Sequence, residues 1–455
     1  MRLYSSILLH LCYFLVLASS LASAAVVEHT LEVKNLTIGR LCQQTTITAV
    51  NGSLPGPTLR VKEGDTYCSS SQQISLRNNY SLAWRNNYTY NFDITRQEGT
   101  LWWHAHISYL RATVYGALII RPRKGRSYPF PKPDKEVPIL IGEWWSADVV
   151  DIINDATAVG APPNLSDAYT INGQPGDLYN CSSDSTYKLK VQEGKTYMLR
   201  MVNAALQSIM FFKVANHTMI EVSIDACYTN PYTTHTITIA PGQTMDVLLK
   251  ADQPLGSYYM AASVYQGSDF VTFDDTTPTA IIEYDGAATT TTPIMPVLPD
   301  FSDNETAHRF LTNLTALTSA PFWEPVPQPV DERLLITIGI SIFPCDRPDI
   351  NQCQGINNTI VAASMNNISF NPSTNLSILE AYYYNVDGIY TTDFPDEPPI
   401  QFDYTSPDNQ LNGALLTTSR GAKVRKFKYN STVEIVFQNT ALGTIENHPI
   451  HLHGY

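Results

Sequence analysis

Residues 99–120 read GTLWWHAHISYLRATVYGALII and carry two histidines, His104 and His106, two positions apart in an aromatic and aliphatic run. Successive side chains of a β-strand point to opposite faces, so these two imidazoles would point the same way. Two imidazoles on one face are half of a metal site, because imidazole binds copper, zinc and iron alike. The alternative is a pair of satisfied polar residues on the outer face of a strand, and this stretch by itself favours neither.

Histidines elsewhere in the chain shift the balance toward a metal. The chain has 10 histidines, and half of them form two tight clusters. The second cluster is His448, His451 and His453 in the segment HPIHLH, which repeats the two-residue step. A metal shared between distant strands needs such a second cluster. Three isolated histidines are predicted to be surface or satisfied residues rather than ligands: His217, His235 and His308.

The N-terminus has the architecture of a secretory signal over residues 1–24. Arg2 supplies the positive start, residues 7–17 form a short apolar core, and residues 22–24 (ASA) are a small-residue cleavage site. The apolar run is too short to span the hydrocarbon core of a membrane, which is about 30 Å thick. We therefore expect a secreted protein that is not anchored in a membrane.

The composition agrees with export. The sequence contains 13 N-x-S/T sequons, among them Asn35, Asn87, Asn164 and Asn304, which predict N-linked glycans on the surface. An Asn- and Thr-rich β-protein also produces sequons by chance, so the occupancy of each one is open. Six cysteines remain once Cys12 leaves with the signal, enough for up to three disulfides whose pairing the sequence does not fix.

Charge, length and periodicity set the broad class. A net charge of −13 without a basic run argues against nucleic acid or an anionic membrane as a partner. The mature chain is long enough for about three domains. Alternation of apolar and polar residues recurs at 189–202, 235–249 and 432–437, and helix periodicity is scarce. Short strands with frequent turn signals predict an all-β protein of sandwiches or barrels.

The chain repeats itself. In the first part, NGSLPG and VKEGDT match NGQPG and VQEGKT in the second part, and WWHAH matches YYMAA. Both histidines become apolar residues in copy two, as expected if copy one carries a metal and copy two is a spacer. A third, weaker copy begins near residue 366, and the Thr/Pro-rich residues 286–299 have the composition of a linker.

Copy one is shorter than copy two. Val61 and Trp102 are 41 positions apart, whereas the matching Val191 and Tyr258 are 67 apart, a deficit of 26 in copy one. After the Glu-Gly turn, copy one continues YCSSSQ where copy two continues YMLRMV, which breaks the pattern of a core strand. We therefore expect residues 67–87 to be irregular. The sequence ends in HLHGY, which is expected to leave a sheet edge unpaired.

Together, NGSLPGPTLRVKEGDT, GTLWWHAHISYLRATVYGALII, IAPGQT and HPIHLHG resemble multicopper oxidases, and specifically plant laccases. The resemblance covers nearly the whole mature chain in the correct order. It implies three cupredoxin-like Greek-key β-sandwich domains at residues 25–136, 137–290 and 300–455, the first with an internal deficit and the third truncated. It also implies one-electron oxidation of phenols or monolignols, coupled to reduction of O2 to water, by a secreted, monomeric glycoprotein of the apoplast with a role in lignin metabolism.

Copper is the cofactor that the resemblance implies, with four ions in a complete family member. It assigns a type 1 ligand to His448 and the type 2 ligand to His451, and it implies no catalytic residue beyond the copper ligands. The type 3 ligands that it assigns are His104, His106 and His453. Cys42 and Cys181 resemble the disulfide that joins the first two domains.

Two of the family's four copper motifs are absent from the sequence. An HxHG segment would lie between Thr66 and Tyr88, where the deficit falls and no histidine occurs. A His-Cys-His segment would lie beyond Tyr455, yet the last cysteine of the chain is Cys353, and type 1 copper needs a thiolate. Five of the family's ten histidine ligands remain, so these 455 residues are expected to be inactive as they stand.

Three interpretations compete. The sequence is an incomplete gene product or a fragment of a laccase; it is a secreted, catalytically dead laccase-like glycoprotein that binds ligands; or it is a different metalloenzyme, for instance one that uses zinc and a bound water. The first is favoured, because skipped exons and truncation remove whole segments and leave the other motifs intact. The third is the weakest, because no new Asp or Glu joins the histidine clusters.

Overall fold

The computed structural model describes residues 25–73, 87–182, 185–267, 272–288, 292–406, 413–440, 442 and 447–452. Within these ranges the chain is built mainly from β-strands, which we number in chain order, so the predicted all-β class is confirmed. None of the helices in the described residues is both long and apolar enough to cross a membrane.

The first part of the chain forms two sheets that pack face to face. Their strands are β1 (Val26–Arg40), β2 (Gln43–Val50), β3 (Leu59–Lys62), β4 (Thr66–Gln73), β5 (Asn87–Asp93), β6 (Gly99–His104) and β7 (Tyr115–Arg121). A 3-10 helix, Ser108–Ala112, separates β6 from β7. The sheet orders are β2-β1-β4-β5 and β3-β7-β6. Side chains from both sheets, including Val61, Tyr67 and Ile120, form the core between them.

The middle part has a larger pair of sheets. Its strands are β8 (Lys135–Trp144), β9 (Ala168–Ile171), β10 (Lys188–Val191), β11 (Thr196–Asn203), β12 (Ile209–Val214), β13 (Met219–Ile224), β14 (Cys227–Thr234), β15 (Ile237–Ile239), β16 (Thr244–Lys250), β17 (Ser257–Tyr265) and β18 (Thr279–Tyr284). The orders are β14-β13-β16-β11-β8-β9 and β10-β18-β17-β12-β15. Met201, Phe212 and Met260 lie in the fully buried core that the two sheets share.

The last part contributes one five-stranded sheet to the described residues. Its strands are β19 (Glu332–Phe343), β20 (Ile360–Met365), β21 (Ile368–Phe370), β22 (Ser419–Gly421) and β23 (Val433–Asn439), in the order β22-β21-β20-β19-β23. The described residues also form the helices α1 (Val149–Val159), α2 (Asn304–Thr312), α3 (Ile378–Tyr383) and α4 (Gly413–Leu416), with further short 3-10 helices at Ile350–Gln352 and Ile356–Asn358. The edge strand β23 exposes Ile435, Val436 and Phe437.

The internal repeat is confirmed by strand pairing. In copy one β3 runs parallel to β7, which pairs antiparallel with β6; in copy two β10 runs parallel to β18, which pairs antiparallel with β17. Each copy turns after its parallel strand at a glycine with positive φ, Gly64 (88°) and Gly194 (79°), because the left-handed conformation needed there is strained for other residues. The sheets β2-β1-β4-β5 and β9-β8-β11-β16 correspond in the same way.

The deficit of copy one falls between two matching strands. In copy two, β12 to β15 lie between β11 and β16; in copy one, β4 and β5 are separated by residues 74–86, which lie outside the described residues. The prediction that residues 67–87 are irregular is wrong for 67–73 and for Asn87, which belong to β4 and β5. The backbone of β4 is hydrogen-bonded in register on both sides, to β1 and to β5, and this pairing forms the strand despite its serine-rich sequence.

Two disulfides link the chain. Cys42 pairs with Cys181, as the resemblance implied, with their Cα atoms 5.2 Å apart, and joins the first part of the chain to the middle part. Cys345 pairs with Cys353 across 8 positions. Cys68 and Cys227 carry free thiols.

Candidate metal centre

His104 is the last residue of β6, and His106 lies just beyond it. The sequence placed both residues within one strand, and that placement is wrong for His106. The backbone nevertheless continues the ladder by one step, because the amide of Ala105 donates to the carbonyl of Val114 at 2.9 Å. The two imidazoles therefore lie side by side, with ring centroids 6.2 Å apart and an interplanar angle of 24°.

The hydrogen bonding of His104 fixes its tautomer. Its Nδ1 lies 3.0 Å from the carbonyl oxygen of Ala105, which can only accept, so Nδ1 carries the proton. Nε2 then keeps its lone pair, the arrangement found when a metal-binding histidine donates its other N–H to a carbonyl. The ring of Trp102 packs against the imidazole with centroids 4.2 Å apart.

The electrostatic surroundings of His104 favour its neutral form. Burial lowers the pKa of His104 most, and the charges of Arg111, His106 and His451 lower it further. The hydrogen bond that His104 donates to the Ala105 carbonyl raises this pKa in part. A neutral imidazole is the form that binds a metal.

The C-terminal cluster lies beside this pair in part. The charge of His451 acts both on His104 and on Asp225 at the turn between β13 and β14, so the three side chains share one electrostatic environment. His451 is exposed and His448 is half-buried. His453 lies outside the described residues.

The residues present fit part of a copper site. Imidazoles suit copper, and the tautomer of His104 leaves a ligand nitrogen available. In the part of the chain that the structure describes, however, no three or more His, Cys, Asp or Glu side chains are grouped closely enough to hold an ion. A complete copper centre is therefore not formed by these residues, and we derive no oxygen chemistry from them.

The histidine strand β6 and its counterpart in copy two differ in their described neighbours. In copy two, β17 lies between β18 and β12, whereas β6, its counterpart, has only β7 as a neighbour among the described strands. The chain segment that contains β12 in copy two corresponds to the interval between β4 and β5 in copy one, where the 26-residue deficit falls and where the resemblance implies an HxHG motif.

Buried polar contacts hold the start of β6 against the middle sheets. Thr100 Oγ1 donates to Asp246 Oδ1 at 2.5 Å, and Thr244 Oγ1 donates to the Thr100 carbonyl at 2.5 Å. A Cβ on Gly99 would lie 2.6 Å from Cα of Ala226, so only glycine allows this approach. Sequence reasoning missed this attachment, although Thr244 belongs to the quoted IAPGQT motif.

A cavity of about 420 Å³ adjoins the segment that carries His448. It is lined by Ile209, Thr238, Ala240, Tyr265, Asn304, Ala307, His308, Leu311 and Asn447. His308 was predicted to be a surface or satisfied residue, and it is exposed, but it also lines this cavity. The lining residues come from distant segments, so no local sequence signal could have shown the cavity.

Comparisons with known proteins agree on one family. Models of multicopper oxidase domains match residues 75–125, 135–287 and 393–455. Laccase-7 of Arabidopsis thaliana is 51% identical over 98% of this chain and 82% of its own length. Laccase-3 of Oryza sativa subsp. japonica is 47% identical over 96% of this chain and 80% of its own length.

A solved structure supports the cupredoxin-like fold. The laccase from Botrytis aclada superposes with a TM-score of 0.61, at 21% identity, over 82% of this chain and 68% of that one. At this identity the match concerns the fold alone, and it confirms the cupredoxin-like architecture. Because nearly the whole chain is about half identical to curated plant laccases, it belongs to the multicopper oxidase family, among the plant laccases.

Proposed function

We propose that this architecture serves laccase chemistry: one-electron oxidation of phenols and monolignols, coupled to reduction of O2 to water, in lignin metabolism. The single observation that carries the proposal is the His104/His106 pair, with parallel rings and a free Nε2 on His104 in the field of His451. Copper, when bound, would supply the electron acceptor, and the protein's own contribution is to hold the His104 imidazole neutral and the pair of rings in place. The cavity beside Asn447 has a size that suits a small phenol.

The ligand roles form part of the proposal. His104, His106 and His453 would hold type 3 copper, His451 type 2 copper, and His448 type 1 copper. The cupredoxin-like domains are proposed to span residues 25–136, 137–290 and 300–455.

We also propose that the 455 residues on their own do not turn over. No histidine occurs between Thr66 and Tyr88, and no cysteine follows Cys353, so the type 1 thiolate and the HxHG ligands are absent from this chain. The protein should bind fewer copper ions per molecule than the four of a complete family member. It should also show no intense thiolate-to-copper absorption. The measurements are copper per protein, the visible spectrum and O2 uptake with a phenol.

Matched variants identify the ligands in the same experiment. His104→Ala should lower the copper content, whereas His235→Ala, a change at an exposed histidine outside both clusters, should leave it unchanged. Blue colour with phenol-dependent O2 uptake by the 455-residue protein would refute the inactivity. Equal copper content in the two variants would refute the assignment of His104.

Export is proposed on the signal architecture and the sequons. The protein should be secreted to the apoplast as a monomeric glycoprotein cleaved after residue 24. N-terminal sequencing, intact mass and gel filtration of secreted material test this proposal. Retention of Met1, or a mass equal to the bare chain, would count against it.

A second candidate function is binding of small phenols without turnover. It is favoured by the combination of a formed cavity and the absence of a three-ligand group among the described side chains. Calorimetric titration of the metal-free protein with a monolignol tests it. Saturable binding in the presence of a chelator would support a binding protein, and no heat of binding would remove this alternative.

A further inference from the structure

We propose that Asn304 carries an N-linked glycan whose first sugars form part of the wall of the cavity beside Asn447. The inference rests on the proposed export and deepens the proposed function, since such a glycan would restrict the cavity to monomeric phenols. Asn304 begins the sequon Asn304-Glu305-Thr306 and is at the same time a lining residue of the cavity.

The side chain of Asn304 is oriented for a sugar. Its Oδ1 accepts a hydrogen bond from the hydroxyl of Tyr265 at 2.7 Å, which turns the oxygen toward the protein. Among the contacts of the described residues, its Nδ2 has no hydrogen-bond partner, and the residue is exposed. A sugar on Nδ2 would therefore replace a hydrogen that the fold does not use.

Three of the other sequons differ in this respect. The Nδ2 atoms of Asn51, Asn313 and Asn367 donate to the carbonyls of Thr30 (3.0 Å), Arg309 (2.7 Å) and Thr417 (2.9 Å). A sugar on one of these nitrogens leaves it a single hydrogen, so the glycan must then point away from the folded hydrogen bond. Asn304 is thus better suited to carry a glycan than Asn313, the next sequon along the chain.

The helix α2 places this glycan at the cavity. Asn304, Ala307, His308 and Leu311 are three or four positions apart, so they share one helical face, and this face lines the cavity. Asn304 stands at the N-terminal end of the face, and His308 lies one turn further on. Sugars attached at Asn304 would extend over the mouth of the cavity near His308 and narrow the access of large molecules.

The experiment compares two variants of Thr306 in the full chain, secreted from plant cells. Thr306→Ala abolishes the sequon and Thr306→Ser keeps it, while both leave Asn304 and Tyr265 intact. Glycopeptide mass spectrometry measures the occupancy of Asn304, with Asn35 and Asn313 as internal references. Modification of His308 by diethyl pyrocarbonate, relative to the exposed His235 outside the cavity, measures shielding and requires neither copper nor turnover.

We expect Asn304 to be occupied, and to a greater extent than Asn313. His308 should react severalfold faster in Thr306→Ala than in Thr306→Ser, with His235 unchanged. A bare Asn304 on a protein whose Asn35 is glycosylated would overturn the site and leave export standing. Bare sequons throughout would overturn export and this inference together, and an occupied Asn304 with equal His308 rates would overturn its place in the cavity wall.

Discussion

Replacing Asp246 with alanine should weaken the attachment of the start of β6 to the middle sheets and destabilise the protein. Asp246 is 1% exposed and its carboxylate accepts from Arg200 Nη1 at 2.8 Å and from Thr100 Oγ1 at 2.5 Å. Arg200 is itself fully buried. Its Nη2 also donates a hydrogen bond to the Tyr128 hydroxyl at 2.8 Å and forms an ion pair with Glu136 Oε2 at 3.4 Å. The variant would leave a buried cation with one carboxylate in place of two.

The size of the loss in the free energy of unfolding depends on the ion pair between Arg200 and Glu136 that remains. Removing one partner of a buried ion pair destabilises a protein by about 3–5 kcal/mol, because the other charge is left uncompensated. Because Glu136 stays near Arg200, we expect Asp246→Ala to destabilise the protein by about 3 kcal/mol, the lower end of this range. This is a large share of the total stability of a typical domain, about 5–15 kcal/mol.

The assay is urea unfolding followed by circular dichroism, with two controls. Glu434→Ala breaks the Arg333–Glu434 ion pair, whose side chains are 73% and 47% exposed, and should change the free energy of unfolding by less than about 1 kcal/mol. The double variant Asp246→Ala/Arg200→Met removes the unpaired cation and should recover much of the loss. An Asp246→Ala effect no larger than that of Glu434→Ala, or a double variant as unstable as the single one, would refute the reasoning.

Two further predictions concern pH and disulfides. Burial raises the pKa of Glu143 from an ordinary 4.5 to about 7, so the folded state holds a proton that the unfolded state releases. The contribution of Glu143 to stability should therefore be complete below pH 4.5 and be lost as the pH rises through 7. Glu143→Gln should remove this pH-dependent contribution, about 3 kcal/mol, from the free energy of unfolding measured across that range. Loop-closure entropy predicts a loss of about 5 kcal/mol on opening Cys42–Cys181, 139 positions apart, and about 2.5 kcal/mol for Cys345–Cys353, 8 positions apart, so paired serine variants should differ in melting temperature in that order.

The sequence predicted the features that repeat along the chain. Alternation and turn signals predicted the strand-rich class, and the NG and EG turns of the two copies predicted their matching topology, because a glycine with positive φ is a local requirement. The family resemblance implied the Cys42–Cys181 disulfide. Sequence patterns predict a structural feature correctly when that feature depends on only a few neighbouring residues.

Features formed by distant segments were not predicted. The cavity is lined by residues of α2 and by Asn447, and the buried contacts of Thr100 join β6 to β16. These residues are far apart in the sequence, where apolar periodicity carries no information about contacts. The strand β4 shows the opposite failure: its serines argue against a core strand, yet β1 and β5 supply backbone partners on both sides. Side-chain pattern describes burial, whereas strand formation also depends on which neighbours are present.

The exposed edge of copy one follows from the same comparison. Tyr88, Tyr90 and Phe92 alternate along β5 and are 61%, 54% and 44% exposed, although Phe92 packs against the buried Tyr67 with ring centroids 4.9 Å apart. In copy two the counterpart of β5 is β16, which is buried because β13 pairs with it and β12 and β15 extend the facing sheet. The aromatic stripe on β5 thus occupies the position of a buried strand in copy two, and among the described strands β6 has only β7 as a neighbour. The 26-residue deficit between β4 and β5 falls where copy two has β12 to β15, two of which extend the sheet that faces β16.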